Sequence, residues 1–209
     1  MPASEQSLRA LGRQAGLEEV LIDELWVTLA GRYGEAHRAY HDLAHVGNML
    51  DHLERCREIE GRDVLAWAIW FHDVVYDPQS SSNEADSATL FRELLGRAFD
   101  TAFVTEVERL IMVIDPGADR PADMAGKLIA DLDLLTLGAD RADYEAYARA
   151  IRQEYAFVPA EDFARGRVAV MEGFLALDRI YDTPDFTHLE APARANIQAE
   201  VAQLRDEMN

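Results

Sequence analysis

Residues 64–73 read Val64-Leu-Ala-Trp-Ala-Ile-Trp-Phe-His-Asp73. The first eight residues would be apolar on nearly every side of a helix, and a helix without a polar face is buried in a protein interior. The pattern predicts a helix over residues 63–73 that ends in a histidine and an aspartate. Because an unpaired charge in a buried position is costly, both side chains must be paired, hydrogen-bonded or bound to a metal.

The rest of the chain also follows a helical pattern. Apolar residues recur at steps of three and four, as around Leu17 and Leu21, and alternating strand-like runs are absent from the sequence. Turn residues in Leu137-Gly-Ala-Asp140 and Asp182-Thr-Pro184 end two of the periodic segments. The sequence therefore predicts an all-α protein, a single domain over residues 1–209 with about eight to ten helices. The predicted helices cover residues 4–14, 17–31, 42–60, 63–73, 82–98, 100–114, 121–137, 140–156, 160–179 and 190–207.

The composition limits the class of partner. The 209 residues carry a formal net charge of −19, with a sequence pI of about 4.6. Such a surface repels nucleic-acid backbones and anionic lipids, which argues against binding to duplex nucleic acid or to a membrane. The single cysteine, Cys56, excludes an intrachain disulfide and a cysteine-based zinc site. Because no apolar run reaches transmembrane length and no leader pattern opens the sequence, we expect a cytoplasmic protein.

Imidazoles and carboxylates occur in the order expected of one metal site with four ligands. They lie in Tyr40-His-Asp-Leu-Ala-His45, in His72-Asp73 and in Asp131-Leu-Asp133. If a helix begins within the first segment, its two histidines share a face of that helix or its entry. The two aspartates of the last segment would project about 200° apart on a helix, so we expect only one to enter the site. Such ligands suit Mn, Fe, Co, Ni or Zn, with about two or three positions left open for water or substrate.

The first segment also has a simpler interpretation. His37, His41 and His45 would form a stripe along one helix, and an isolated pair of histidines four residues apart is more often a solvated polar face than a metal site. The His72-Asp73 pair favours the metal site, because it closes a buried segment where unsatisfied polar groups are costly.

Seven short motifs follow one another between Arg38 and Asn196, over most of the chain. They are Arg38-Ala-Tyr-His-Asp-Leu-Ala-His45, Phe71-His-Asp-Val-Val-Tyr76, Asn83-Glu-Ala-Asp-Ser-Ala88, Asp131-Leu-Asp-Leu134, Arg152-Gln-Glu-Tyr155, Gly166-Arg167 and Glu190-x-x-x-Arg194-x-Asn196. In this order they resemble the HD superfamily of metal-dependent phosphohydrolases, and within it a bacterial family of predicted HD phosphohydrolases. The resemblance implies a helical bundle of the HD type.

The resemblance implies that His45, His72, Asp73 and Asp133 bind one divalent ion (Mn, Co, Ni, Fe, Zn or Mg). Asp131 is the alternative ligand, or else an acceptor for the N–H of a ligating imidazole.

Catalytic roles are implied for His41 and Glu84, together with the ligand Asp73. His41 matches the position that donates a proton to the leaving oxygen in the similar motif of cyclic nucleotide phosphodiesterases; its alternative role is a contact behind a metal ligand. Glu84 would position or deprotonate the attacking water. Its alternative role is a capping box in Ser81-Ser-Asn-Glu84, with Ser81 or a neighbour as the cap.

Substrate contacts are implied for several polar side chains, since arginines stabilise the charge that builds on a phosphoryl group during transfer. Each arginine has the alternative role of bridging helices through one of the 39 acidic residues. The residues implied in substrate binding are Arg38, Tyr76, Asn83, Arg152 and Arg167, with Arg194 as a further candidate.

The chain departs from the family pattern in two places. Asp42 stands where family members often have asparagine, and no histidine lies between His72 and His188. Dinuclear and oxygen-activating HD enzymes need additional histidines in that interval, so we expect a single metal ion.

The resulting hypothesis is a mononuclear phosphohydrolase that hydrolyses a phosphate ester or anhydride of a small molecule such as a nucleotide. The phosphomonoesterase, phosphodiesterase and pyrophosphatase types all stay open, as do a monomer and a homo-oligomer. The alternative is a catalytically weak HD-fold protein that binds a nucleotide or a partner for regulation.

Overall fold

The computed structural model of the chain describes residues 3–56, 59–115 and 117–208. Within these residues the secondary structure is entirely helical, which confirms the all-α prediction. Each predicted helix is found, and two short 3-10 turns are added at Leu135–Gly138 and Thr187–Leu189. The ten α-helices of the described residues are α1 (Ala3–Gln14), α2 (Glu19–Tyr33), α3 (Leu43–Arg55), α4 (Arg62–Phe71), α5 (Asn83–Leu95), α6 (Thr101–Met112), α7 (Met124–Asp133), α8 (Arg141–Glu154), α9 (Ala160–Ala176) and α10 (Glu190–Met208).

The helices form two compact units, Met1–Ile129 and Ala130–Asn209, and the boundary between them falls inside α7. The organisation as a single domain stays a prediction. Among the described helices, none combines the length and the apolar character needed to cross a lipid bilayer.

The first unit is built around α4. This helix contacts α1, α3, α5 and α6, and every residue from Trp67 to Phe71 is buried. The apolar sequence of α4 is therefore buried, as its pattern predicts. Each fully buried large side chain stabilises the fold by roughly 1.5–3 kcal/mol relative to an exposed one. The Tyr33 hydroxyl at the end of α2 donates a hydrogen bond to the Trp70 carbonyl (3.0 Å), which anchors the last turn of α4.

Most of the helices end one to five residues from the predicted position, and three of these differences concern α3, α4 and α7. The predicted helix 42–60 ends at Arg55, and its residues 57 and 58 lie outside the described residues. The predicted helix 63–73 ends at Phe71, so the histidine and the aspartate that follow it belong to a turn. The predicted helix 121–137 is shortened to α7, because the chain tightens into a 3-10 turn after Asp133.

The second unit is held by a buried charged network between its long helices. Arg167 of α9 donates to both carboxylate oxygens of Glu200 on α10 (2.9 and 3.3 Å), and the Tyr144 hydroxyl of α8 donates to the same carboxylate. Burial, together with this carboxylate, raises the pKa of Tyr144, so the phenol keeps its proton. Asn196 adds a link within the unit by donating to the carbonyls of Leu137 (3.0 Å) and Ala139 (2.9 Å).

We expect Glu200→Ala to lower the free energy of unfolding by about 3–5 kcal/mol, because it leaves the buried Arg167 cation without its partner. Urea denaturation followed by circular dichroism measures this loss. The matched control is Glu172→Ala, which removes a partner of Arg205 in a half-exposed pair and should cost less than about 1 kcal/mol. Equal losses in the two variants would contradict a stabilising role of burial at Glu200.

Candidate metal centre

His45 lies in the first turn of α3. Asp42 is the N-cap residue, and its Oδ1 accepts hydrogen bonds from the amides of Ala44 (2.7 Å) and His45 (3.2 Å). Aspartate caps a helix about as well as asparagine does, so Asp42 is a good residue for the start of α3. The cap fixes where the helix begins and thereby places the buried His45 side chain.

His41 precedes the cap of α3. The alternative interpretation, a stripe of His37, His41 and His45 along one helix, is therefore wrong, because the helix begins after His41. The His41 ring stacks on Tyr76 with centroids 4.3 Å apart and meets the Tyr40 ring edge-on at 5.1 Å. His41 is half-buried, so its ring is held in place while part of it still reaches solvent.

His72 and Asp73 follow α4 directly and are both buried. The Nδ1 atom of His72 lies 2.8 Å from the Ile69 carbonyl, which can only accept, so Nδ1 carries the proton. In the neutral ring the Nε2 atom is then a lone-pair acceptor. It nevertheless lies 3.0 Å from Asp73 Oδ2 and 3.1 Å from His45 Nε2, and the latter two atoms are 3.9 Å apart.

The close approach of the His72 Nε2 atom to the Asp73 carboxylate needs a proton or a metal cation between them. A carboxylate oxygen and two imidazole nitrogens repel each other unless a proton or a metal ion lies among them. Two metal–ligand bonds of about 2.1 Å that meet at a right angle separate their ligand atoms by about 3.0 Å. The observed separations of 3.0 and 3.1 Å fit neighbouring positions around one ion, and the 3.9 Å separation fits a wider angle. His45, His72 and Asp73 therefore suit a divalent metal in chemistry and in spacing.

The charge of Asp73 follows from its surroundings. Burial raises the pKa of its carboxyl group, whereas His72 beside it, together with His41 and His45, lowers it, and the net result is a lowered pKa. Asp73 is thus ionised at neutral pH, which is the form that binds a metal.

The loop after Asp73 is fastened to α5 by two side chains. The Asn83 side chain accepts from the amide of Asp77 (3.0 Å) and donates to its carbonyl (2.9 Å). Ser87 does the same for Val75, at 3.1 and 3.3 Å. The predicted substrate residue Asn83 is therefore occupied with the loop backbone. The sequence interpretation missed Ser87, although this serine belongs to the Asn83–Ala88 motif.

Glu84 occupies the second position of α5 and is half-buried. The N-cap of α5 is Ser82 rather than Ser81, and its side chain makes no capping hydrogen bond among the described residues. The Ser82 hydroxyl instead donates to Asp86 (2.8 Å). The N-cap is thus the neighbour of Ser81 that the sequence interpretation allowed, without the capping hydrogen bond that it expected, and the role of Glu84 toward water stays a prediction.

The two candidate aspartates of α7 differ in how their oxygens are used. Asp131 is buried, and its carboxylate accepts from the amide of Asp182 (2.9 Å) and from the amide (2.7 Å) and hydroxyl (2.6 Å) of Thr183. Burial raises the pKa of Asp131 against the lowering effect of these bonds. Both oxygens of Asp131 thus bind the segment that precedes α10. This leaves Asp133, the half-buried last residue of α7, as the better candidate for a ligand.

The arginines predicted in the second unit are engaged within that unit. Arg152 donates to the carbonyls of Tyr155 (2.6 Å) and Val158 (3.0 Å), and its guanidinium lies over the Phe163 ring. Arg194 donates to the Glu190 carboxylate and to carbonyls at the end of α9. Arg167 is paired with the Glu200 carboxylate.

No family model, curated protein or solved structure matches this chain.

Proposed function

We propose that this protein is a mononuclear metal-dependent phosphohydrolase whose ion is bound by His45, His72, Asp73 and Asp133. The observation that carries the proposal is the convergence of two Nε2 atoms and one carboxylate oxygen, no two of them more than 3.9 Å apart, in a buried position. The order of the motifs in the sequence, which resembles that of HD phosphohydrolases, supports the reaction class.

The ligand set favours a borderline divalent ion. Two imidazoles and carboxylates suit Mn, Fe, Co, Ni or Zn better than Mg or Ca, which prefer oxygen ligands throughout. When bound, such an ion would lower the pKa of water toward neutrality and polarise a phosphoryl oxygen. His72 would bind through Nε2, since its Nδ1–H donates to the Ile69 carbonyl and fixes the tautomer.

His41 is the proposed proton donor to the leaving oxygen. Its stacking on Tyr76 limits the rotation of the imidazole, and its partial exposure leaves it within reach of a substrate. In this proposal Tyr76 orients the His41 ring and forms part of the lining of the site. Glu84, near the start of α5, is the proposed residue that positions the attacking water.

The proposal is tested by metal analysis followed by a substrate screen. Purified protein is expected to retain or bind about one equivalent of Mn, Co or Ni per chain, as a site with three or four ligands predicts. It should then release phosphate from phosphomonoesters, phosphodiesters or nucleotides, and a chelator should stop the release. Stoichiometric metal and ligand-induced stabilisation without turnover would favour the regulatory alternative instead. If the wild-type protein binds none of these ions at micromolar concentration, the proposed function fails.

A further inference from the structure

We propose that Arg38 is a positioning residue that holds the two metal-binding segments of the first unit in register through their backbone carbonyls. This inference rests on the proposed function and deepens it. The sequence interpretation instead assigned Arg38 to the substrate, and the geometry points to a different role.

The Arg38 guanidinium is enclosed by protein. Its side chain has 0% of its surface exposed, although arginine is among the side chains that are least often buried. Nη1 donates to the carbonyls of His41 (3.0 Å) and Asp73 (2.7 Å), and Nη2 donates to that of Val74 (3.1 Å). A group in this position has its donors directed at the backbone.

The positive charge of Arg38 is balanced locally. Nε donates to the Glu35 carboxylate (3.2 Å), and the guanidinium carbon lies 5.1 Å from the ring centroid of Tyr33 and 5.4 Å from that of Tyr76. An ion pair and two aromatic faces offset the cost of burying a cation. The planar fork of arginine can reach several acceptors at once, which the single ammonium of lysine cannot do in the same geometry.

The three carbonyls belong to the two segments that supply the ligands. One is that of His41, just before the cap of the helix that carries His45. The other two are those of Asp73 itself and Val74. The Nε2 atoms of His45 and His72, one from each segment, lie 3.1 Å apart, and they keep this spacing only if the two segments stay in register. The hydrogen bonds of Arg38 would therefore keep the ligand side chains close together before a metal binds. Less conformational entropy is then lost when the metal binds.

Arg38→Lys tests this role, because it keeps the charge and removes the fork. We expect it to weaken Co²⁺ binding by about 10–100-fold, the range typical of residues that orient metal ligands. It should also alter the visible spectrum of the Co²⁺ complex. The matched control is Arg62→Lys. Arg62 also donates to two backbone carbonyls of the first unit, those of Leu53 and Cys56. We expect this control to lower the melting temperature while preserving Co²⁺ affinity and spectrum.

A second readout works on the metal-free protein and so does not depend on the proposed function. In Arg38→Lys the amides of residues 42–45 and 73–76 should exchange hydrogen faster than in wild type, whereas Arg62→Lys should leave them protected. If wild type binds no Co²⁺ but this difference in exchange is found, the proposed function fails and the backbone role of Arg38 stands.

Glu35→Gln keeps the Arg38 guanidinium and removes only its charged partner. This variant replaces Arg38→Lys as the test if Arg38→Lys does not fold. We expect it to weaken Co²⁺ binding in the same direction by a smaller factor. Wild-type Co²⁺ affinity in a folded Arg38 or Glu35 variant would overturn the proposal. An equal loss of affinity in Arg62→Lys would overturn it as well, because the effect would then be a general loss of stability.

Discussion

His72→Ala is expected to weaken binding of Mn²⁺ or Co²⁺ by at least about 100-fold and to abolish metal-dependent release of phosphate. His72 has the central ligand atom of the candidate site, since its Nε2 lies closest to both of the other ligand atoms in the first unit. Without it, His45 and Asp73 keep a separation of 3.9 Å and lose the imidazole that bridges them.

The variant should still fold. His72 is buried, so truncation leaves a cavity and lowers the free energy of unfolding. Isothermal titration of Co²⁺ and the rise in melting temperature on metal addition measure the loss of binding, because a ligand stabilises only the state that binds it.

His52→Ala is the matched control for His72→Ala. In α3 the Nδ1 atom of His52 lies 2.9 Å from the Asn48 carbonyl, a contact of the same kind as that of His72. His52 has no proposed role in metal binding, so its removal should preserve affinity and phosphate release. Metal binding by His72→Ala at wild-type affinity would show that the cluster of His45, His72 and Asp73 is held together by a proton and has a structural role.

Asp133→Asn is expected to affect mainly the metal affinity, and Asp131→Asn mainly the free energy of unfolding. Asp133→Asn should weaken metal binding by at least about 100-fold and lower the free energy of unfolding less than Asp131→Asn does. Asp131→Asn should preserve a measurable metal affinity and lower the free energy of unfolding by about 2–4 kcal/mol. The reason is that an amide nitrogen replaces one of the oxygens to which Asp182 and Thr183 donate, so buried donors face another donor.

Urea denaturation and Co²⁺ titration of the same two preparations decide between the aspartates. Thr183→Val supplies an internal check, because it removes one hydroxyl donor to Asp131 and should lower stability in the same direction as Asp131→Asn, by about 1 kcal/mol. Loss of metal binding in Asp131→Asn with Asp133→Asn unaffected would exchange the assigned roles of the two residues.

The helical architecture could be predicted from the sequence because its signals are local. The periodicity of apolar residues placed all ten helices, and the apolar composition of residues 64–71 predicted the buried α4. The predicted helix ends were less accurate, because the residue at which a helix ends depends on which neighbouring groups compete for the backbone hydrogen bonds there. α4 stops at Phe71, where the following carbonyls of Asp73 and Val74 are bound by Arg38.

The candidate site could be predicted only in part. The residue types at positions 45, 72 and 73 indicated a metal site, and the structure brings these three side chains together in the first unit. The alternative interpretation of a histidine stripe was wrong, because α3 begins only at Leu43. The N-cap of α5 is Ser82, the neighbour of Ser81 that the sequence interpretation allowed, but its side chain makes no capping hydrogen bond among the described residues. Ser87 and Thr183 were missed because a single hydroxyl gives no pattern in a sequence.

The sequence by itself determined the all-helical class, the buried character of residues 64–73 and the supply of imidazoles and carboxylates in a suggestive order. The roles of the polar residues were decided only by the tertiary structure. From the sequence, Arg38 and Asn83 were predicted to contact the substrate, whereas in the fold they donate to backbone carbonyls. Asp131 accepts from the backbone amides of Asp182 and Thr183. The physical reason is that a guanidinium, an amide or a carboxylate binds whichever partner lies within about 3 Å, and that distance is set by packing between segments far apart in the chain.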